Sequence, residues 1–477
     1  MERIVSQPVA LVMALLAFVR WAEAGLASAQ PPELPPSPLA VDQAIQYGLD
    51  HYPSIRASVA RIASARAGID LARTAYLPRV EMGIQENMAT FNKESGLFFM
   101  TPYTPPIWGR QGDSISYRGA WGSAAGTAAA WEPFDFGLRA ANVDSARAVE
   151  RQQALGLAVT QLDVGLNVGD AFFGLLMAQQ TVEAMKANVE RRQVFANTVG
   201  VLVKSGLRPG VDASRAQAEL AMARTQLIQA EQAADVAKAT LAEVMGLAGY
   251  PVEVQTDPLL SLPEARTLPD PAPWAHPWAT AQKAAADVYG KRKDALDRAW
   301  VPRFDLLGIF FSRGSNWDRS GTPRPGASGM FPDVPNWAAG LEVNFSLMDF
   351  ASIRAKRLAE QQNEQAELAI YEQVLQALTG KHQKAAATVM GARRVAENTP
   401  IQLAAARDTE SQARARYQSG LATVVEVAEA QQLVVQASID DALARLGVWR
   451  SLLGFAGARG DLGPFLDLVR TAAARGK

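Results

Sequence analysis

The stretch Tyr417-Gln418-Ser419-Gly420-Leu421-Ala422-Thr423-Val424-Val425-Glu426-Val427-Ala428-Glu429-Ala430-Gln431 has an earlier copy in the same chain. That copy is Val203-Lys204-Ser205-Gly206-Leu207-Arg208-Pro209-Gly210-Val211-Asp212-Ala213-Ser214-Arg215-Ala216-Gln217. Ser-Gly-Leu, a valine, an acid and a closing Ala-Gln keep one offset, 420 − 206 = 214 and 431 − 217 = 214. Each copy separates a long descending helical pattern from an ascending one. Glycine supplies the permissive backbone that a tight reversal needs. The acid falls in the first turn of the next helix, where it compensates the helix dipole.

The duplication extends along the chain. Trp131-Glu132-Pro133-Phe134-Asp135-Phe136 returns as Phe345-Ser346-Leu347-Met348-Asp349-Phe350, and 349 − 135 is again 214. Upstream, Pro53, Pro78 and Arg79 match Pro277, Pro302 and Arg303 at an offset of 303 − 79 = 224. The first copy therefore carries 224 − 214 = 10 extra residues between Pro78 and Asp135. Similar composition alone does not reproduce matched Pro, Asp and Gly positions, so the chain is a tandem repeat.

With 477 residues, 48% of them hydrophobic, and a formal charge of −1, the chain can bury a large core and shows no bulk signal for nucleic acid. Residues 1–29 read as a cleavable signal peptide. Arg3 precedes an apolar run from Pro8 to Val19, and Ala27-Ser28-Ala29 stands before Gln30. The run is too short to span a membrane as a helix. The absence of cysteine excludes disulfides, thiolate metal sites and a lipidated N-terminal cysteine. No later segment reaches about 18 unbroken apolar residues. His51, His276 and His382 show no metal-ligand spacing, and neither a phosphate loop nor a nucleophile elbow is present. The expectation is no enzyme, no metal and no cofactor.

Punctuation and period set the expected domains. A Pro-rich leader from Pro31 to Pro38 precedes a helical pattern from about Val41 to Tyr76, with Pro53 near an early turn. The first repeat is expected over 30–249, with strands at about 79–95 and 114–134 and a helical hairpin over 137–248 turning near 205–210. Val80, Met82 and Ile84 alternate with Glu81, Gly83 and Gln85, which marks a strand with one apolar face. A Pro-rich linker, 250–276, leads to the second repeat, 277–457. There the strands are expected at about 303–314 and 337–348, and the hairpin over 351–456 turns near 419–424. Residues 458–477 read as a tail. The loops Gly96–Asp113 and Trp317–Asn336 connect the strands of each pair.

Strands of this length suffice to cross an outer membrane, where about 9–11 tilted residues are needed. The descending helices from Gly137 and from Ala351 are roughly 100 Å long at about 1.5 Å per residue. Gly380 and Pro400 predict a kink or break in the second. Ala213, Ala216, Leu220, Ala223, Leu227, Ala230, Ala234, Ala237, Leu241 and Val244 form an unbroken coiled-coil seam. Its second copy keeps Val427, Ala430, Val434, Ala437, Ala444 and Val448, and Asp441 interrupts it.

This order of signal peptide, helix, β-hairpin and long helical hairpin, given twice, resembles the TolC-like outer-membrane efflux proteins over roughly Leu39 to Gly457. The resemblance implies a mainly α fold with a β-barrel portion. Three copies would close a twelve-stranded outer-membrane barrel in lipid, joined to a periplasmic α-helical barrel. It implies a passive exit duct for efflux or type I secretion, working with an inner-membrane pump and a periplasmic adaptor. Gly420, Val425, Glu426 and Val427 fall on the family's second tip motif, and Gly206 and Asp212 on its first. Glu426 and Glu429 match acidic positions at the periplasmic aperture, and Tyr417 matches an aromatic of its gating network. Ala422 departs from a basic residue at that place, and Arg208 is the candidate to substitute for it. The exposed reversals Ser205-Gly206-Leu207 and Ser419-Gly420-Leu421 are the expected adaptor-docking tips. The alternative is a periplasmic coiled-coil scaffold, for which the alternating strands and their aromatic residues have no use. A standalone porin lacks such helices.

Overall fold

The computed structural model describes residues 34–90, 115, 117–256, 259–264, 269–270, 272–316, 324 and 326–475. The signal-peptide reading of 1–29, the loop Gly96–Asp113 and residues 317–323 lie outside the described residues. The chain divides between Ser37 and Pro38, and the helices and strands all belong to the unit from Pro38 onward.

Two helices open this unit, α1 (Val41–His51) and α2 (Pro53–Thr74). The single helical pattern is divided because Pro53 has no N–H to continue α1 and sits well at the first position of α2. Tyr52 between them is extended, with φ −65 and ψ 133, as a residue before proline prefers.

The two repeats supply four strands, β1 (Arg79–Thr90), β2 (Gly119–Phe134), β3 (Arg303–Ser315) and β4 (Val334–Asn344). They form one antiparallel sheet in the order β1-β2-β3-β4. Arg79 pairs with Ala130 in the first hairpin and Arg303 with Asn344 in the second. The offsets of 303 − 79 = 224 and 344 − 130 = 214 relate these two pairs, so both hairpins share one register. Period-two alternation divides the faces. Val80, Met82, Ile84 and Met88 share one face with Leu306, Phe310, Trp337 and Leu341, all exposed. Trp337 is 78% exposed. The other face carries Arg79, Glu81, Gln85, Asn87, Glu132, Asp305, Arg313 and Glu342. An apolar face of this extent needs a partner phase.

One boundary departs from the alternation. Leu341, Val343, Phe345 and Leu347 predict a strand to Met348, yet β4 ends at Asn344. Its partner β3 begins at Arg303, opposite Asn344. Residues 345–348 thus have no strand beside them.

Each hairpin feeds a long helix, α3 (Leu138–Lys204, 67 residues) and α6 (Asp349–Gln418, 70 residues). The entry to α3 is a tight bend, with Phe136 at φ +51 and Gly137 at φ +87. The Asp135 carboxylate holds this bend by accepting from Gly137 N–H at 3.2 Å and from the Arg139 guanidinium at 3.0 Å. Arg139 also donates to Ala75 O at 3.2 Å, which ties the bend to the end of α2. The return helices are α4 (Gly210–Val244) and α7 (Val424–Arg459), and α5 (Pro277–Leu296) opens the second repeat.

The expected break in the second descending helix is absent, because α6 runs unbroken through Gly380 and Pro400. Tertiary support beside the proline compensates for its lost backbone bond. Thr399 Oγ1 donates to Asp441 Oδ1 on α7 at 3.0 Å, and Arg445 pairs with the same carboxylate at 3.1 Å. Asp441, which interrupts the seam, is buried with these partners. The tail is also structured, as helix α8 (Gly463–Arg475). Phe465 and Val469 are buried, and Phe465 meets Phe173 edge-on with centroids 6.3 Å apart.

The largest core lies where the middle of α3 meets the ends of α4 and α7, around Phe172, Phe173, Leu176, Leu241, Met245 and Trp449. The Trp449 indole donates to Ser261 O at 2.9 Å, so the linker closes this core. His276 joins the repeats beside it. Its Nδ1 accepts from Trp278 N–H at 3.1 Å, capping α5, and its Nε2 donates to Gly457 O at 3.1 Å on α7. Only the neutral ring can do both. Burial lowers the His276 pKa, and Lys381 on α6 lowers it further, while the Gly457 bond and Asp163 on α3 oppose this.

The folded pKa is therefore below the ordinary value of about 6.5. The unfolded chain binds the extra proton, so this contribution is present above about pH 6.5 and declines as pH falls toward the folded pKa. His276→Asn keeps a capping acceptor without titrating. Thermal unfolding at pH 7.5 and pH 5 should show the wild type's advantage over this variant shrinking at the lower pH. A difference independent of pH contradicts the assignment.

Candidate functional site

Two helical reversals lie side by side at the end of the long hairpins. Helix α3 ends at Ser205 and turns through Gly206, with φ +74. Helix α6 ends at Ser419 and turns through Gly420, with φ +82. The backbone bonds correspond one to one. Leu207 N–H donates to Leu202 O at 2.9 Å and Gly206 N–H to Val203 O at 3.0 Å. In the second turn Leu421 N–H donates to Arg416 O at 2.8 Å and Gly420 N–H to Tyr417 O at 3.1 Å. Both are Schellman motifs, which close the orphan carbonyls of a helix end and require a left-handed residue after the cap. Ser205 and Ser419 add hydroxyl bonds to Val201 O and Ala415 O. The next leucines point outward, Leu207 70% and Leu421 71% exposed.

An apolar cluster welds the two tips. Phe195, Ala196 and Val199 of α3 and Ala216 and Leu220 of α4 pack with Tyr417, Ala422, Val424 and Val427. Tyr417 is 1% exposed and lies against Phe195 at 5.4 Å between ring centroids.

Two further residues singled out from the sequence, Arg208 and Asp212, meet on that tyrosine. The Arg208 guanidinium stacks over its ring at 4.4 Å and donates to its carbonyl at 2.5 Å. Its hydroxyl donates to Asp212 Oδ2 at 3.4 Å. Burial pushes the Tyr417 phenol up, and Asp212 adds to this while Arg208 opposes it. The phenol thus stays protonated and can donate. Ala422, the repeat equivalent of Arg208, is buried in the cluster.

Glu426 is placed differently. It forms a capping box with Thr423, accepting from Thr423 N–H at 3.0 Å while Thr423 Oγ1 accepts from Glu426 N–H at 3.3 Å. The Thr423 backbone bond holds its carboxyl below the usual range, against desolvation. Glu426 therefore serves the start of α7 in each chain, as a first-turn acid does. Glu429 is exposed one turn further on.

The structure adds a polar layer above the tips. Arg192, buried on α3, donates to Glu219 of α4 at 2.8 Å and to Ala428 O of α7 at 3.3 Å. Asn188 lies one turn before Arg192 and Gln431 one turn beyond Ala428, both buried, with side-chain atoms lacking a protein partner. Since α3 and α7 run in opposite directions, both residues fall at the same level. The signal in the sequence was the spacing Asn188, Arg192, Phe195, Val199, a seam row with two polar members. Among the described residues no group of three or more His, Asp or Glu could hold a metal ion.

Breaking a buried pair by removing one partner costs about 3–5 kcal/mol, less where the survivor keeps some water. Glu219 keeps 21% of its side-chain surface, so Arg192→Met should cost up to about 3 kcal/mol. Adding Glu219→Leu should recover most of that loss. Thermal unfolding of the single and double variants checks this, and an undiminished deficit in the double variant speaks against a shared pair.

The family model for outer membrane efflux proteins matches residues 44–247 and 279–458. The chain is 26% identical over 435 residues to Protein CyaE of Bordetella pertussis, covering 89% of this chain and 85% of that protein. Among solved structures it is similar to CusC, with TM-score 0.72 at 15% identity, covering 91% of this chain and 98% of that one. It is likewise similar to the CmeC outer membrane channel of Campylobacter jejuni, with TM-score 0.71 at 13% identity, covering 91% and 90%.

Proposed function

The chain belongs to the outer membrane efflux protein family, and on that premise we propose that three copies form one passive exit duct. The sheet lies in the outer membrane and the long helices project into the periplasm. The observation that carries this reading is the four-stranded sheet with one exposed apolar face and two open edges, β1 and β4. An open edge is not tolerated in lipid, so other copies must close it. Four strands from each of three copies make twelve. No helix of the described residues is long and apolar enough to cross a membrane. Fractionation and heat-modifiable gel mobility test this, and a soluble monomer in the periplasmic fraction contradicts it. Phe331 lies in the β3–β4 loop at the end of the sheet away from the helices, 77% exposed. A single cysteine there should react with an impermeant maleimide on whole cells.

The tips are the proposed periplasmic entrance, and Leu207 and Leu421 offer apolar contacts to a periplasmic adaptor fed by an inner-membrane pump. The two turns repeat the same geometry, so each trimer would present six similar docking points. Valine at both Gly206 and Gly420 should strain the turns, since each needs a positive φ. Adaptor crosslinking and efflux should fall while trimers persist. Unchanged crosslinking argues against docking at these turns.

The Arg208–Tyr417–Asp212 contact is the proposed latch of the entrance. It ties the α3–α4 turn to the end of α6, and Arg208 takes the place of the basic residue absent at Ala422. Glu426 and Glu429, three residues apart on one helix face, would form stacked acidic rings in the trimer, with Asp212 nearby. Like charges in a narrow lumen favour bound cations. In planar bilayers Arg208→Ala with Tyr417→Phe should raise conductance several-fold. Glu426→Ala with Glu429→Ala should weaken cation preference and divalent block. Unchanged selectivity in assembled trimers rejects the acidic rings and leaves the duct intact.

A further inference from the structure

The two open edges of the sheet are related by the internal repeat, and this fixes how they meet. Between the repeats, β2 pairs with β3, with Ala129 opposite Gly308, Ala128 opposite Ile309 and Trp131 opposite Leu306. Strand β2 is the second strand of the first repeat and β3 the first strand of the second. Around a closed ring the same relation recurs between β4 of one copy and β1 of the next. The hairpin registers already obey the offsets of 214 and 224, so those offsets carry the β2–β3 register over to the closure.

We propose that β4 of one protomer pairs with β1 of a second copy of this chain in the register Val343–Ile84, Glu342–Gln85 and Phe345–Met82. This inference rests on the trimeric reading of the duct. Each pair is obtained by translation. Ala129 stands 214 before Val343, and Gly308 stands 224 after Ile84. Ala128 and Ile309 give Glu342 and Gln85, and Trp131 and Leu306 give Phe345 and Met82.

Three features of the molecule agree with this register. First, the faces match. Val343, Ile84 and Met82 belong to the exposed apolar face, Phe345 continues the same parity just past the end of β4, and Glu342 and Gln85 belong to the opposite face. A slip of one residue would set Glu342 beside Ile84 and Val343 beside Gly83, turning a carboxylate toward lipid. On this face Leu341 falls opposite Glu86 and Trp337 opposite Thr90, the two pairs across the closure that join an apolar to a polar residue.

Second, the register accounts for the early end of β4. In the first repeat β2 runs on to Phe134 because β3 lies beside it, with Phe134 opposite Phe304 after an irregularity beyond Trp131. The equivalents of Trp131 and Phe134 are Phe345 and Met348, which leave the strand in the single chain. Their neighbours would be Met82 and, past the same irregularity, Val80 of the next copy.

Third, the residues that this extension would cover are those left bare. Leu347 is 74% and Met348 90% exposed. Phe345 and Leu347 alternate with Asn344 and Ser346 as in a strand, so the edge is patterned for a partner that one chain does not contain.

The chain has no cysteine, which permits a direct test. Directly opposed residues of an antiparallel pair lie close enough to be bridged, with non-hydrogen-bonded positions the nearer. Adjacent positions alternate between the two types, so Val343→Cys with Ile84→Cys and Glu342→Cys with Gln85→Cys sample both. Under oxidation of assembled trimers in outer membranes, at least one double variant should give covalent dimers and trimers on a non-reducing gel. The shifted pairs Val343→Cys with Met82→Cys and Val343→Cys with Glu86→Cys should stay uncrosslinked. Preferential crosslinking of a shifted pair overturns the register, as does failure of all pairs in trimers that remain heat-modifiable. If no trimer exists in any variant or in the wild type, the duct reading itself falls.

Discussion

A backbone N–H or C=O left without a partner in hydrocarbon costs several kcal/mol, and this constraint organises the molecule. The four-stranded sheet satisfies its interior ladders and leaves two edges open. One of its faces is apolar and exposed, so the sheet belongs in lipid, where those edges cannot stand alone. A chain of this kind is complete only as part of a ring. The duplicated hairpin is a physical economy under that constraint, since one strand-to-strand relation can serve both inside the chain and between chains.

The helical part obeys a different rule. Its seam is rich in alanine, as at Ala216, Ala223 and Ala230 of α4, which lets helices approach closely and offers little shape to select a register. Selection then falls to sparse polar ties. Arg192 spans α3, α4 and α7, Thr399 and Arg445 meet on Asp441, and His276 joins α5 to α7. Each tie has a buried member, Arg192, Asp441 or His276, and each loses strength outside a single alignment. Such groups contribute weakly to net stability and strongly to uniqueness of packing, the role best attested for buried polar residues in coiled coils. Pro400 fits this account, because α6 stays continuous where such a tie stands beside the proline.

The features legible in the sequence were those set by local chemistry. Glycine at Gly206 and Gly420 marks left-handed turns, period-two alternation marks strands, and matched landmarks mark the repeat. The illegible features depend on neighbours. The helical pattern from Val41 divides at Pro53, since proline begins a helix as readily as it ends one. The strand pattern through Leu347 outruns β4, because a strand exists only where a partner lies beside it. The tail after Gly457 is a helix held by Phe465 against Phe173, a contact between residues far apart in the chain. At the tips, the sequence could nominate Arg208, Asp212 and Tyr417 separately. Their convergence on one buried ring is a tertiary fact.

The repeats agree in their turns and differ in the residues just past them, and the difference has a direction. Arg208 and Asp212 of the first copy correspond to Ala422 and Glu426 of the second, by 422 − 208 = 214 and 426 − 212 = 214. The first pair reaches outward to Tyr417 on the other hairpin. In the second, Ala422 is buried and Glu426 folds back to cap its own helix with Thr423. One hairpin grips and the other is self-contained. A symmetric arrangement would need two contacts broken together, whereas here the loss of one stacked guanidinium and one phenol bond separates the polar link. The remaining weld at the tips is apolar and non-directional, so it resists separation while tolerating sliding, and the next polar tie, Arg192 to Ala428 O, lies above it. Under the duct reading, that combination suits an entrance that must stay shut at rest and let one hairpin move without unfolding the other.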